Sequence, residues 1–184
     1  MPVEEAICLL DRRDRLTVEI LAEDVGVCLD GGRWFREMEI CCGREFDRPT
    51  VVEMQGTLKI TLTERPIFRA EVGLAQHTCT GEKLSGDVCD HYTDGGQTTC
   101  IISDGMGSGG RAAVDGAMAA GIAAKLLQAG LQPDTMLKLV NTALLAKSGD
   151  ESLTTLDILQ LDLFTGNMHI YKAGAATSLL RSGG

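Results

Sequence analysis

Apolar and polar residues alternate along several short stretches of this chain and recur at helical spacing along two longer ones. Phe68, Ala70, Val72 and Leu74 alternate with Arg69, Glu71 and Gly73, the pattern of a half-buried strand. Residues 16–21 read as a strand with a mixed face, bounded by the charged turn Asp11-Arg12-Arg13-Asp14. Residues 51–54 and 58–62 read as two strands joined near Gln55-Gly56, and Asp30-Gly31-Gly32 marks another turn. Residues 34–42 fit neither the strand nor the helix period well. From about Arg111 to Ala129 the apolar residues Met118, Ile122 and Leu126 recur every four positions among many alanines. Ser108 or a neighbouring glycine can cap this helix, Asp115 lies near its N-terminus, and Gly130 ends it. A second helix starts at Pro133, carries Met136, Val140 and Leu144 on one face and stops near Ser148-Gly149. Strands follow at residues 156–164, 168–172 and 178–181, with Thr165-Gly166-Asn167 as a hairpin turn.

The order strands, paired helices, strands implies an α+β arrangement, an antiparallel sheet with helices packed outside it. Glu64-Arg65-Pro66 divides a region in which no chemistry is legible, residues 1–65, from a second region, residues 66–184. The formal net charge of −9 argues against a nucleic-acid binder or adhesion to an anionic membrane. Seven cysteines without CxxC spacing fit reduced, cytoplasmic thiols better than a disulfide framework or a zinc site, and no apolar run is long enough to span a membrane.

The chemistry gathers around Asp94-Gly95-Gly96-Gln97. Two glycines supply the positive φ angles of a type I′ turn, so Gly95-Gly96 predicts a two-residue hairpin whose paired positions sum to 191. Asp87 and Asp104 also sum to 191. They are predicted to face each other on neighbouring antiparallel strands with Cβ atoms about 4.5–5.5 Å apart. Two readings follow. A divalent cation with oxygen ligands, Mg²⁺ or Mn²⁺, sits between the carboxylates, with the glycines after Asp104 allowing a backbone carbonyl or a substrate to approach. Alternatively, one Asp caps the following turn and the other faces solvent.

Other motifs carry less. Gly105, Gly107 and Gly110 satisfy G-x-G-x-x-G, but a dinucleotide-binding turn needs a returning parallel strand, and here a second helix comes next. Cys41-Cys42 has no second thiol pair or nearby His, and His77, His91 and His169 are scattered. Arg111, at the start of the long helix, is placed to touch phosphate or simply to be solvated.

Ser85-Gly86-Asp87, Ser103-Asp104-Gly105-Met106-Gly107, the helix after them, and Thr155-Leu156-Asp157 with its hairpin closely resemble the stage II sporulation protein E family, whose catalytic domain is a metal-dependent, protein phosphatase 2C-like phosphatase. The resemblance runs from about Phe68 to Gly184. It implies a four-layer α-β-β-α sandwich with two Mn²⁺ or Mg²⁺ ions where the central sheets meet. It implies Asp104 as the carboxylate bridging both ions, Gly105 as a backbone-carbonyl ligand and Asp87 as a further ligand, with Asp87 and Asp104 thereby catalytic. The implied substrate is a phosphoserine or phosphothreonine protein, of the anti-sigma-factor antagonist type. The helix pair, in such relatives, couples a regulatory segment to the metal site, and residues 1–65 look like a small accessory or regulatory region. An exposed part of the helix stripes offers a surface for a homodimer. Family members carry two more metal-binding aspartates further on, and the sequence given stops before either; Asp157 and Asp162 do not replace them. The expectation is a C-terminally incomplete catalytic domain that holds metal weakly and turns over slowly or not at all alone. The alternative is a non-catalytic module that binds a phosphoprotein or a regulator on the same scaffold.

Overall fold

A computed structural model describes residues 3–23, 32–54, 56–78, 81, 84–107, 109–147 and 153–181. The chain divides into two compact units, Met1–Pro66 and Ile67–Gly184. Each holds one four-stranded antiparallel sheet, and the described elements include three helices.

In the first unit the strands are β1 (Val3–Leu10), β2 (Leu16–Glu23), β3 (Thr50–Met54) and β4 (Thr57–Thr63), in the spatial order β1-β2-β4-β3. Helix α1 (Gly32–Cys42) precedes β3. Alternate residues of the two central strands, Leu16, Val18 and Ile20 with Leu58, Ile60 and Leu62, form the buried face together with Phe46. Residues 34–42, ambiguous by period, are helical because Trp34, Phe35, Met38 and Cys42 share one face and pack on that core. The helix ends in a Schellman motif: Gly43 takes φ +63° and the Arg44 amide donates to the Glu39 carbonyl.

The second unit holds β5 (Asp87–Asp94), β6 (Gln97–Gly105), α2 (Gly109–Gln128), α3 (Pro133–Lys147), β7 (Thr154–Asp162) and β8 (Met168–Ala173). The sheet runs β5-β6-β7-β8, antiparallel throughout. Both helices pack on one face: Ala119, Ala120, Ala123 and Leu127 of α2 and Met136, Val140 and Leu144 of α3 meet Ile101, Leu156 and Ile158 of the sheet. Gly130 (φ +82°) turns the chain between them, with the Leu131 amide donating to the Leu126 carbonyl. The expected cap at Ser108 and the stop at Ser148-Gly149 lie outside the described residues.

Two predicted strands are not strands. Residues 68–74 run without a ladder despite their alternation, and residues 178–181 join no ladder either, the isolated bridge of Gly174 to Leu156 lying before them. Alternation shows only that a segment could cover a face. It becomes a strand when a free sheet edge accepts its backbone, and among the described residues neither β5 nor β8 takes up these segments. Phe68 instead donates its amide to the Leu163 carbonyl and lays its ring against Gly166 at the β7–β8 turn.

Candidate active site

Gly95 and Gly96 adopt φ of +50° and +68°, both left-handed, as a type I′ turn requires. The ladder they start runs without slip, pairing Asp94 with Gln97 and, seven residues on, Asp87 with Asp104. Ser103 and Gly105 of β6 are buried toward the helices, while Asp104 between them is exposed on the opposite face. The two carboxylates are thus opposed on that face. Asp104 is held above the ordinary carboxylate range, first by partial removal from water, then by the Asp87 charge and by a hydrogen bond between the two side chains. Among the described residues no basic side chain pairs with either acid.

Hydroxyls orient the pair. Ser85 Oγ donates to Asp87 Oδ2 at 3.3 Å and accepts from the Asp87 amide at 3.2 Å. Gln76 Nε2 donates to the Asp87 carbonyl at 2.7 Å. Across the sheet, Thr155 Oγ1 accepts from the Asp104 amide at 3.3 Å, and Thr154 Oγ1 donates to the Asp104 carbonyl at 2.9 Å. No turn count could reveal the two threonines, because two helices separate β6 from β7.

Behind the acids, three glycines bring α2 against the strand ends. A Cβ on Gly105 would lie 2.1 Å from the Ala112 carbonyl oxygen, and one on Gly116 would lie 2.3 Å from the Gly86 carbonyl oxygen. A Cβ on Gly86 would lie 2.7 Å from the Gly105 carbonyl oxygen, so that oxygen packs where only a glycine leaves room. The Gly105 amide in turn donates to the Gly86 carbonyl at 3.1 Å. One residue before Gly116, Asp115 is 4% exposed and ion-paired with Lys147 at the end of α3.

The acids border a groove of about 660 Å³ that also takes in Thr155, Asp157, Thr177 and Ser178. Asp157 is ion-paired with Lys172 and accepts from Ser178 Oγ at 3.1 Å, so its charge is already matched. Asp162 bonds to Asn167 around the next turn, and that register puts Asp157 opposite Lys172, whereas counting from a turn at Thr165-Gly166-Asn167 would have put it opposite Ala175. Asp162 caps that turn, accepting from the amides of Phe164 and Thr165. His91 and His77 are exposed, and His169 stacks on Tyr171.

Among the described residues, no group of three or more His, Cys, Asp or Glu side chains is gathered to hold a metal ion. What is gathered is two carboxylates in mutual repulsion beside hydroxyl and carbonyl oxygens, a donor set of the kind that hard divalent cations take.

The chain is similar to known proteins in sequence and in fold. The family model described as stage II sporulation protein E (SpoIIE) matches residues 94–184. Stage II sporulation protein E of Priestia megaterium is 28% identical over 130 residues, covering 70% of this chain and 22% of that protein. Its counterpart in Bacillus subtilis (strain 168) is 29% identical over 117 residues, covering 63% of this chain and 14% of that protein. The chain therefore spans less than a quarter of the length of these relatives. A solved structure of the PP2C phosphatase domain and a fragment of the regulatory domain of the cell fate determinant SpoIIE from Bacillus subtilis superposes with a TM-score of 0.60 at 17% identity, covering 96% of this chain and 57% of that one. Family model, relatives and fold converge: the chain is similar to stage II sporulation protein E and has the fold of its PP2C phosphatase domain.

Proposed function

We propose that this chain carries a metal-dependent protein serine/threonine phosphatase site that acts on phosphoserine or phosphothreonine of a regulatory protein resembling an anti-sigma-factor antagonist. The observation that supports this reading is the opposition of Asp87 and Asp104 across one ladder with no basic side chain between them among the described residues. Asp87, Asp104 and the carbonyl of Gly105 would hold Mn²⁺ or Mg²⁺. When bound, such an ion neutralises phosphoryl oxygens and makes water acidic enough to attack at neutral pH.

The rest of the work falls to the chain itself. Ser85 fixes the rotamer of Asp87, Thr154 and Thr155 fix the backbone of Asp104, and the groove beside them admits an extended phosphorylated segment. A cysteine or serine nucleophile has no part in this scheme. With two side-chain ligands, cation affinity is low and turnover by this chain is slow. Met1–Pro66, whose exposed face carries no cluster of this kind among the described residues, acts as an accessory or regulatory region, and the chain works in the cytoplasm.

A second reading has one observation in its favour: the acidic cluster stops at two members among the described residues. It makes the chain a phosphoprotein- or regulator-binding module on the phosphatase scaffold. Release of phosphate from a phosphoserine protein in Mn²⁺ separates the two. The phosphatase reading expects slow turnover that Asp104→Asn abolishes. Binding of the phosphoprotein without any release, alike in both proteins, would establish the module instead.

A further inference from the structure

Asp157 and Ser178 line the far wall of the groove, and Lys172 closes a triangle with them. The Lys172 ammonium is ion-paired with Asp157 and donates to Ser178 Oγ at 2.8 Å, and Ser178 donates onward to Asp157. A lysine has three N–H donors, and two are used here, leaving one for an incoming acceptor. Its side chain keeps 28% of its accessible surface, and its ammonium touches two residues that line the groove, Asp157 and Ser178. The charged side chains lining the groove are Asp87, Asp104 and Asp157, and Lys172, bonded to Asp157 and Ser178, is the cation in contact with that wall among the described residues.

The register sets the distance. Asp104 faces Thr155 on β7, Asp157 lies two residues further along that strand, and Lys172 faces Asp157 on β8. Two strand spacings and two residues of rise put the Lys172 backbone about 12 Å from that of Asp104. An extended peptide advances about 3.3 Å per residue, so that span corresponds to three or four residues of substrate.

We propose that Lys172 is a specificity-determining residue that reads an acidic side chain on the substrate, three or four residues from the phosphorylated one. This rests on the phosphatase reading for where the phosphoryl group sits. The preferred ligand class is then an acidic phosphopeptide rather than any phosphate ester.

Equilibrium binding of fluorescein-labelled phosphoserine peptides to the 184-residue chain in Mn²⁺ tests it. The peptides carry one Asp, or Asn in its place, at three or four residues on either side of the phosphoserine. Wild type is expected to bind one Asp peptide about three- to fivefold more tightly than its Asn twin, the size of a partly exposed ion pair. Lys172→Gln should bind the twins equally, and Lys172→Arg should restore the preference. Ser178→Ala, which loosens the wall but keeps the charge, should retain it. A preference that survives Lys172→Gln, a preference lost equally in Ser178→Ala, or none in wild type at any position overturns the proposal. Preferential binding without phosphate release would leave the Lys172 assignment standing while the phosphatase reading falls.

Discussion

The two units solve the same packing problem with opposite materials. Met1–Pro66 fills the space between sheet and helix with bulk: Phe46, Ile60 and Leu62 are fully buried, and Trp34, Phe35 and Met38 close over them. Ile67–Gly184 uses small residues, with alanines along α2 and three glycines where that helix meets β5 and β6. Charges differ in the same way. In the first unit Arg44 bridges Asp14 and Glu64 while Lys59 meets Glu19, so these acids have partners. In the second unit the buried Asp115 has Lys147, yet Asp87 and Asp104 face each other with none among the described residues. The first unit is arranged for stability, whereas the second holds like charges together and draws α2 close enough to brace them.

The largest expected effect tests the close approach. Gly105→Ala puts a Cβ 2.1 Å from the Ala112 carbonyl oxygen, a backbone atom that cannot swing away. It should cost about 3 kcal/mol or more in denaturant unfolding. Gly121→Ala, in α2 but facing open space, should be neutral or stabilising. Equal effects at both positions would remove the idea of a glycine joint.

Lys147→Met comes next, because it leaves the buried Asp115 carboxylate without its ammonium. A loss of about 3 kcal/mol is expected. Arg33→Ala in the first unit breaks the exposed i,i+4 pair with Glu37 and should change stability by no more than about 0.5 kcal/mol. Comparable losses from the two would mean that the buried pair is not what anchors α3 to α2.

A smaller effect, opposite in sign, belongs to the acids. A carboxyl whose folded pKa is raised binds its proton more readily in the folded state, so it lowers stability as pH rises from the ordinary carboxyl range through the raised value. Asp104→Asn should therefore raise the melting temperature of the metal-free protein slightly at neutral pH, and the gain should vanish in acid. A drop at neutral pH would show that the pair is not under repulsion.

The hairpin was readable because two glycines fix the turn, and the turn count then places every later pair, including Asp87 with Asp104. The helices were readable from period and caps. The segments at residues 68–74 and 178–181 were not, because a strand-like sequence is local whereas strand pairing depends on a vacant edge elsewhere in the fold. Helix α1 was ambiguous for a related reason: its apolar face makes sense only against the β2–β4 surface it covers. Of the site, the opposition of the two acids followed from counting, and their role as ligands, with that of Gly105, from the resemblance. Lys172 opposite Asp157 did not follow, because the second hairpin turns three positions in sum away from Thr165-Gly166-Asn167. Ser85 and Thr155 stand in the motifs that carry the resemblance, yet their roles and that of Thr154 were not legible, since a hydroxyl's role depends on which amide or carbonyl the fold brings to it.

The central claim is that the opposed acids form a cradle for a divalent cation, and calorimetric titration of Mn²⁺ into wild type, Asp87→Asn and Asp104→Asn tests it most directly. The account predicts a weak but saturable isotherm in wild type that disappears in both variants. An identical isotherm in all three proteins, or none in wild type at millimolar Mn²⁺, would contradict it.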